Sequence, residues 1–110
     1  MKPALAVARL GALAQPSRLA VYRLLVQEGP GGVAAGEVAA RLRIAPNTLS
    51  FHLKELEHAG LVHSRQEGRF VYYAPDFDAM NALLAYLTEN CCKGKATCTP
   101  PVACAPQATP

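Results

Sequence analysis

Up to Asn90, apolar residues recur mostly with a helical period. Leu5, Ala8, Leu10 and Leu13 fit one face of a helix from about Pro3 to Ala14. A second helix begins at Pro16, where proline's fixed φ suits a first helical position, and it carries Leu19, Tyr22, Leu25 and Val26 on one face. Gly29-Pro30-Gly31-Gly32 ends it, and a short third helix covers about Ala35 to Leu42. Arg43-Ile44-Ala45 is a tight connection to a fourth helix that opens at Pro46. There Leu49, Leu53 and Leu56 fall at i, i+4 and i+7 as one buried stripe, and Gly60 stands where a helix C-cap belongs.

Beyond Gly60 the period changes. Leu61 to Gln66 and Arg69 to Ala74 are strand candidates, with β propensity from Val62, Phe70, Val71, Tyr72 and Tyr73. Glu67-Gly68 supplies a two-residue hairpin turn, Gly bringing the positive φ such turns need. Pro75 ends the second strand and Asp76 caps a last helix, where Phe77, Met80, Leu83, Leu84 and Leu87 follow helical spacing. After Asn90 the chain turns to Cys, Lys, Gly, Thr and Pro. The pattern therefore divides the chain into a mainly α domain with a small β-hairpin at 1–90 and a Cys/Pro-rich tail at 91–110. No internal repeat is present.

Two short helices, a tight turn between them and a following hairpin make the order of a winged helix-turn-helix. The second helix of such a pair enters the major groove with its N-terminal residues leading. In this chain the reading helix runs from about Asn47 to His58 and offers Asn47, Thr48, Ser50, Phe51, His52 and Lys54 opposite the leucine stripe. Asn pairs bidentately with adenine, and Ser, Thr and His reach base edges or phosphates. Lys54 and Arg41 are phosphate candidates, and Arg65 and Arg69 flank the hairpin turn as a wing. The bland counterpart, an amphipathic helix with an ordinary solvated face, explains the helix but not the wing beside it.

Composition adds bounds. The 110 residues suit one domain, 51% of them are hydrophobic, and only 6% are aromatic with no Trp, so Leu, Val and Ala must fill the core. The net charge of +3 is compatible with a nucleic-acid partner without establishing one. The Ala/Leu-rich start is interrupted by Arg9 and is too short for a secretory signal, and no segment approaches a membrane span. The expected compartment is the cytoplasm, with cysteines kept as thiols. No nucleophile–base pair, phosphate loop or acid/base dyad is evident, so an enzyme is not expected. His52, His58 and His63 share no metal-binding spacing.

These residues resemble the ArsR/SmtB family of metal-sensing repressors. The resemblance is carried by Gln15-Pro16-Ser17-Arg18-Leu19, by Thr48-Leu49-Ser50-Phe51-His52-Leu53-Lys54-Glu55-Leu56, by Glu57-His58-Ala59-Gly60-Leu61-Val62, and by Glu67-Gly68-Arg69 and Tyr72-Tyr73 in the wing. It covers almost everything from Leu10 to Leu87. It implies a homodimer built on the Pro3–Ala14 and Phe77–Asn90 helices, binding double-stranded operator DNA and losing affinity for it when metal binds. Two sensor sites familiar in the family are missing. The stretch Val33-Ala34-Ala35-Gly36-Glu37-Val38-Ala39 has no Cys-x-Cys pair, and the last helix has no His.

All four cysteines, Cys91, Cys92, Cys98 and Cys104, lie in the tail. Adjacent Cys91 and Cys92 are awkward disulfide partners but can direct two thiolates at one soft ion. The stretch Lys93-Gly94-Lys95-Ala96-Thr97 is long enough to return Cys98 as a third, and Lys93 and Lys95 favour thiolates. Three sulfurs suit As(III) or Sb(III), whose lone pair fills the remaining direction. Some arsenic- and antimony-responsive members of the family are similar, with Cys-Cys-x5-Cys just past the last helix. Cys104 falls outside that arrangement as a fourth ligand, an alternate third or a spare. A structural zinc site, a redox switch, a repressor sensing another soft metal and a thiol-based metal-handling protein remain as competing readings.

Overall fold

The computed structural model describes residues 1–94. Five helices, α1 (Pro3–Leu13), α2 (Pro16–Glu28), α3 (Ala35–Leu42), α4 (Pro46–His58) and α5 (Phe77–Thr88), surround a three-stranded antiparallel sheet. This is a winged helix-turn-helix, as expected from the sequence.

The sheet has one more strand than the sequence predicts. β1 (Val33–Ala34) pairs with β3 (Phe70–Pro75), which pairs in turn with β2 (Val62–Glu67), giving the order β1-β3-β2. The hairpin register also differs by one residue. Glu67 faces Phe70, so the two-residue loop is Gly68-Arg69 rather than Glu67-Gly68. Gly68 has φ +62° and Arg69 has no positive φ, so the left-handed conformation is needed only at the first loop position. Arg69 is therefore a tip residue, not a strand residue.

Helix ends follow their local chemistry. Gln15 accepts the Arg18 amide through its side chain at 2.7 Å ahead of Pro16, and Asp76 accepts the Ala79 amide at 3.0 Å, as its predicted cap role requires. At the end of α4, Gly60 adopts φ +79°. Its amide reaches the Glu57 carbonyl while that of Leu61 reaches Leu56, a Schellman closure with the buried Leu56 and Leu61 at its two ends. α5 ends at Thr88, two residues short of the Asn90 expected. Asn90 turns left-handed at φ 57°, and Cys91–Gly94 form a single 3₁₀ turn.

The core lies between α2, α3, α4 and the sheet. Val21, Leu25, Val38, Leu49, Leu53, Leu56 and Leu61 are all but fully buried in it. Leu19 is an exception to the predicted α2 face: it is nearly half exposed, and Val21 and Leu24 take the inward positions. α1 buries only Ala6 fully, and leaves Leu5, Val7 and Leu10 in solvent.

Tyr22 belongs to this core at 5% exposure, yet its hydroxyl has no hydrogen-bond partner among the described residues. Burial, and secondarily the Asp76 carboxylate, push its pKa up to about 12. A phenol whose folded pKa exceeds its unfolded value near 10 contributes full stability below the unfolded pKa and loses it as pH climbs through the folded one. Stability should therefore fall between about pH 10 and 12. Tyr22→Phe removes an unpaired buried hydroxyl and is expected to be neutral or stabilising by up to about 1 kcal/mol at pH 8. Urea denaturation at pH 8 and pH 11 checks both points: the variant's alkaline loss should be clearly smaller, with Tyr73, also raised by burial and by Glu57, supplying part of what remains.

Candidate nucleic-acid interface

The α3–turn–α4 unit owes its shape to Arg43, which takes φ 56° and lets the Ile44 amide close on the Ala39 carbonyl. A non-glycine residue in this conformation ends α3 abruptly and sets α4 off in a new direction. α4 then presents Asn47, Thr48, Ser50, Phe51, Lys54 and His58 to solvent, with Leu49, Leu53 and Leu56 turned inward. Five of the six α4 residues expected on the polar face are there.

His52 is the exception. It is 7% exposed, and its Nδ1 lies 3.4 Å from Nη1 of Arg18. Arginine only donates, so Nδ1 accepts and the imidazole proton belongs on Nε2. The physical reason is position: residue 52 falls three after Leu49 and four before Leu56, on the same inward face. His52 is thus a packed residue behind the interface and is not available on its surface.

The four basic candidates divide in two. Lys54 and Arg69 are exposed and form no ion pair among the described residues. Arg41 instead reaches Glu28 at 3.1 Å and Glu37 at 3.4 Å, tying α3 to the end of α2. Arg65 donates to the Gly31 carbonyl at 2.8 Å and to Glu67 at 2.6 Å, and stacks over Tyr72 at 4.9 Å. That fastens the wing to the loop before β1, with the guanidinium charge already partnered.

Two arginines that the sequence does not mark as functional hold α4 in place. Arg9 on α1 donates to the Ala59 carbonyl at the end of α4 at 2.9 Å. Arg18 donates to the Ala12 carbonyl in the last turn of α1 at 2.7 Å while reaching His52 on α4. A cation at a helix C-terminus also suits the helix dipole. α4 and α1 are thus joined at two points.

Cys91 is a half-buried thiol in the turn that follows α5, and the Cys92 backbone belongs to the same turn. Cys98 and Cys104 lie outside the described residues, as does the rest of the tail. Among the described residues no three His, Cys, Asp or Glu side chains form a group able to hold a metal, and no helix is long and apolar enough to cross a membrane.

Known proteins share this architecture. A family described as a helix-turn-helix domain matches residues 13–65, from the end of α1 into β2. The transcriptional activator HlyU of Vibrio cholerae is 31% identical over 88 residues, 80% of this chain and 79% of that protein. Its solved structure superposes with a TM-score of 0.66 at 30% identity, covering 84% of this chain and 100% of the other. An ArsR-like transcriptional regulator from Rhodococcus sp. RHA1 superposes at 0.68 with 26% identity, covering 79% and 78% of the two chains. The chain belongs to the ArsR/SmtB family of transcriptional regulators. Another solved structure similar to this ArsR/SmtB-family chain is that of a possible transcriptional regulator for arsenical resistance, with a TM-score of 0.64 and 33% identity over 74% of this chain and 81% of that one. The nodulation protein NolR of Rhizobium meliloti is 32% identical over 80 residues, and the match spans 63% of its length.

Proposed function

We propose that this regulator is a cytoplasmic homodimeric repressor, and that As(III) or Sb(III) releases it from operator DNA by binding Cys91, Cys92 and Cys98, with Cys104 as a further candidate. The observation that carries this reading is the place of the paired cysteines. Cys91 and Cys92 sit in a single turn directly after α5, with Cys98 six residues on from Cys92 in the sequence. Thiolate-only donor sets favour thiophilic ions over hard ones, and three sulfurs suit a trivalent metalloid. The relative named for arsenical resistance supports the same choice.

The dimer is supported by the apolar side chains that the single chain leaves in water. Leu5, Val7 and Leu10 on α1 and Leu87 on α5 are all exposed, and the two helices touch one another. Each protomer would set one α4 into the major groove of a half-site, so the operator would be near-palindromic. Metalloid closing the turn after α5 would shift that helix. Its neighbour α1 carries the shift to α4 through Arg9 and through Arg18.

The test is operator release. The full chain, kept reduced, is bound to fluorescent duplex from upstream of its own gene, and As(III), Sb(III), Zn(II), Cd(II) and peroxide are titrated separately. Release by the two metalloids at near-stoichiometric concentration is expected. Release by zinc, cadmium or peroxide alone would instead identify another soft metal or an oxidant as the signal. A duplex retained under every addition would defeat the sensing role.

A further inference from the structure

The exposed face of α4 carries one residue out of keeping with its neighbours. Asn47, Phe51, Lys54 and His58 follow one another at helical spacing along a single solvent-facing stripe, with Ser50 beside them. Phe51 sits in the middle of that stripe and is 58% exposed. Its ring has one aromatic neighbour among the described residues. It meets the His52 imidazole edge-on, with centroids 5.8 Å apart and planes at 61°, and His52 is itself buried and held by Arg18. An apolar aromatic ring is thus exposed among groups that hydrogen-bond.

Phenylalanine has neither donor nor acceptor, so it cannot take part in the hydrogen-bond code of the base edges. The one apolar feature on the floor of the major groove is the 5-methyl group of thymine. The minor groove has no counterpart to it. Phe51 lies about 7.5 Å along α4 from its first residue at the usual helical rise, within the leading half that enters a groove. We infer that Phe51 is a specificity-determining residue that reads a thymine methyl in each half-site, one helical turn beyond the base step faced by Asn47. This inference rests on α4 being the DNA-reading helix, and it adds which base chemistry that helix selects.

The test separates the two. A random 20-bp duplex pool is selected with the full reduced chain in the absence of metalloid. Each thymine of the enriched duplex is then replaced singly by deoxyuridine, which lacks only the methyl. One position per half-site is expected to weaken wild-type binding by about threefold to fivefold, the value of burying one methyl group. Phe51→Ser should bind the thymine and uracil duplexes equally at that position. Phe70→Ser, which removes the similarly exposed ring beside the hairpin tip, should keep the wild-type sensitivity, because it leaves α4 untouched. An enriched duplex that shows no uracil effect, or a Phe51→Ser protein that keeps one, overturns the assignment while leaving DNA reading intact. A pool that yields no enriched duplex overturns DNA reading by α4, and this assignment with it.

Discussion

Leu56→Ala is expected to destabilise the folded chain by about 3–5 kcal/mol and to lower its melting temperature by roughly 15–30 °C. Leu56 has no exposed surface, closes the leucine stripe of α4, and stands opposite the equally buried Leu61 in the turn that ends the helix. Truncation leaves a cavity where α4 meets the sheet, and small neighbours such as Ala59 cannot close it. A domain of this size is stable by only about 5–14 kcal/mol, so the loss is a large fraction of the whole. Leu19→Ala is the matched control. Its side chain is nearly half exposed on α2, and the same truncation should cost about 0.5 kcal/mol or less. Thermal melts followed by circular dichroism at one fixed protein concentration decide the matter. Equal shifts for the two variants would mean that the leucine stripe is not what seats α4.

That stripe was plain in the sequence because a helix writes its buried face at a fixed period. Proline and glycine marked its start and its end as clearly. The same signals exposed α2, α3 and the hairpin. β1 left no trace, since Val33-Ala34 is too short to show alternation and is defined only by its partners Tyr73 and Tyr72 in β3. The hairpin register slipped by one because a glycine fits either position of a two-residue loop, and only the facing of Glu67 and Phe70 fixes which.

Polar side chains leave a weaker mark in the sequence than apolar ones. His52 has the right spacing to be buried beside Leu49 and Leu56, but its polarity argued for the surface, and its partner Arg18 is 34 positions away. Arg9, Arg41 and Arg65 posed the same difficulty: a guanidinium's partners depend on the tertiary fold, and no local pattern announces them. Exposed candidates such as Asn47, Phe51 and Lys54 needed only the phase of one helix, which explains why they were legible.

Cys91→Ser and Cys98→Ser should each abolish release of operator DNA by As(III), while leaving metalloid-free affinity within about twofold of wild type. A serine hydroxyl stays protonated at neutral pH and is a hard oxygen, so it replaces neither the charge nor the softness of a thiolate. Two remaining sulfurs would leave the metalloid a ligand short. Cys91 is in the turn after α5 and is not one of the exposed α4 residues, so its substitution leaves the α4 face itself unchanged. The wild-type effect is expected to lie between about fivefold and 150-fold, the range of ordinary coupling free energies. Coupling is reciprocal, so operator DNA must weaken As(III) binding by the same factor, measurable by competition against a thiol chelator. Cys104→Ser divides the remaining possibilities: unchanged release makes it a bystander, and partial loss makes it a fourth donor. If Cys91→Ser and Cys98→Ser both release as wild type does, the metalloid acts at another site. If they fail to release but operator DNA leaves As(III) affinity unchanged, the thiolates bind metalloid without being linked to α4, and the route through α1, Arg9 and Arg18 falls.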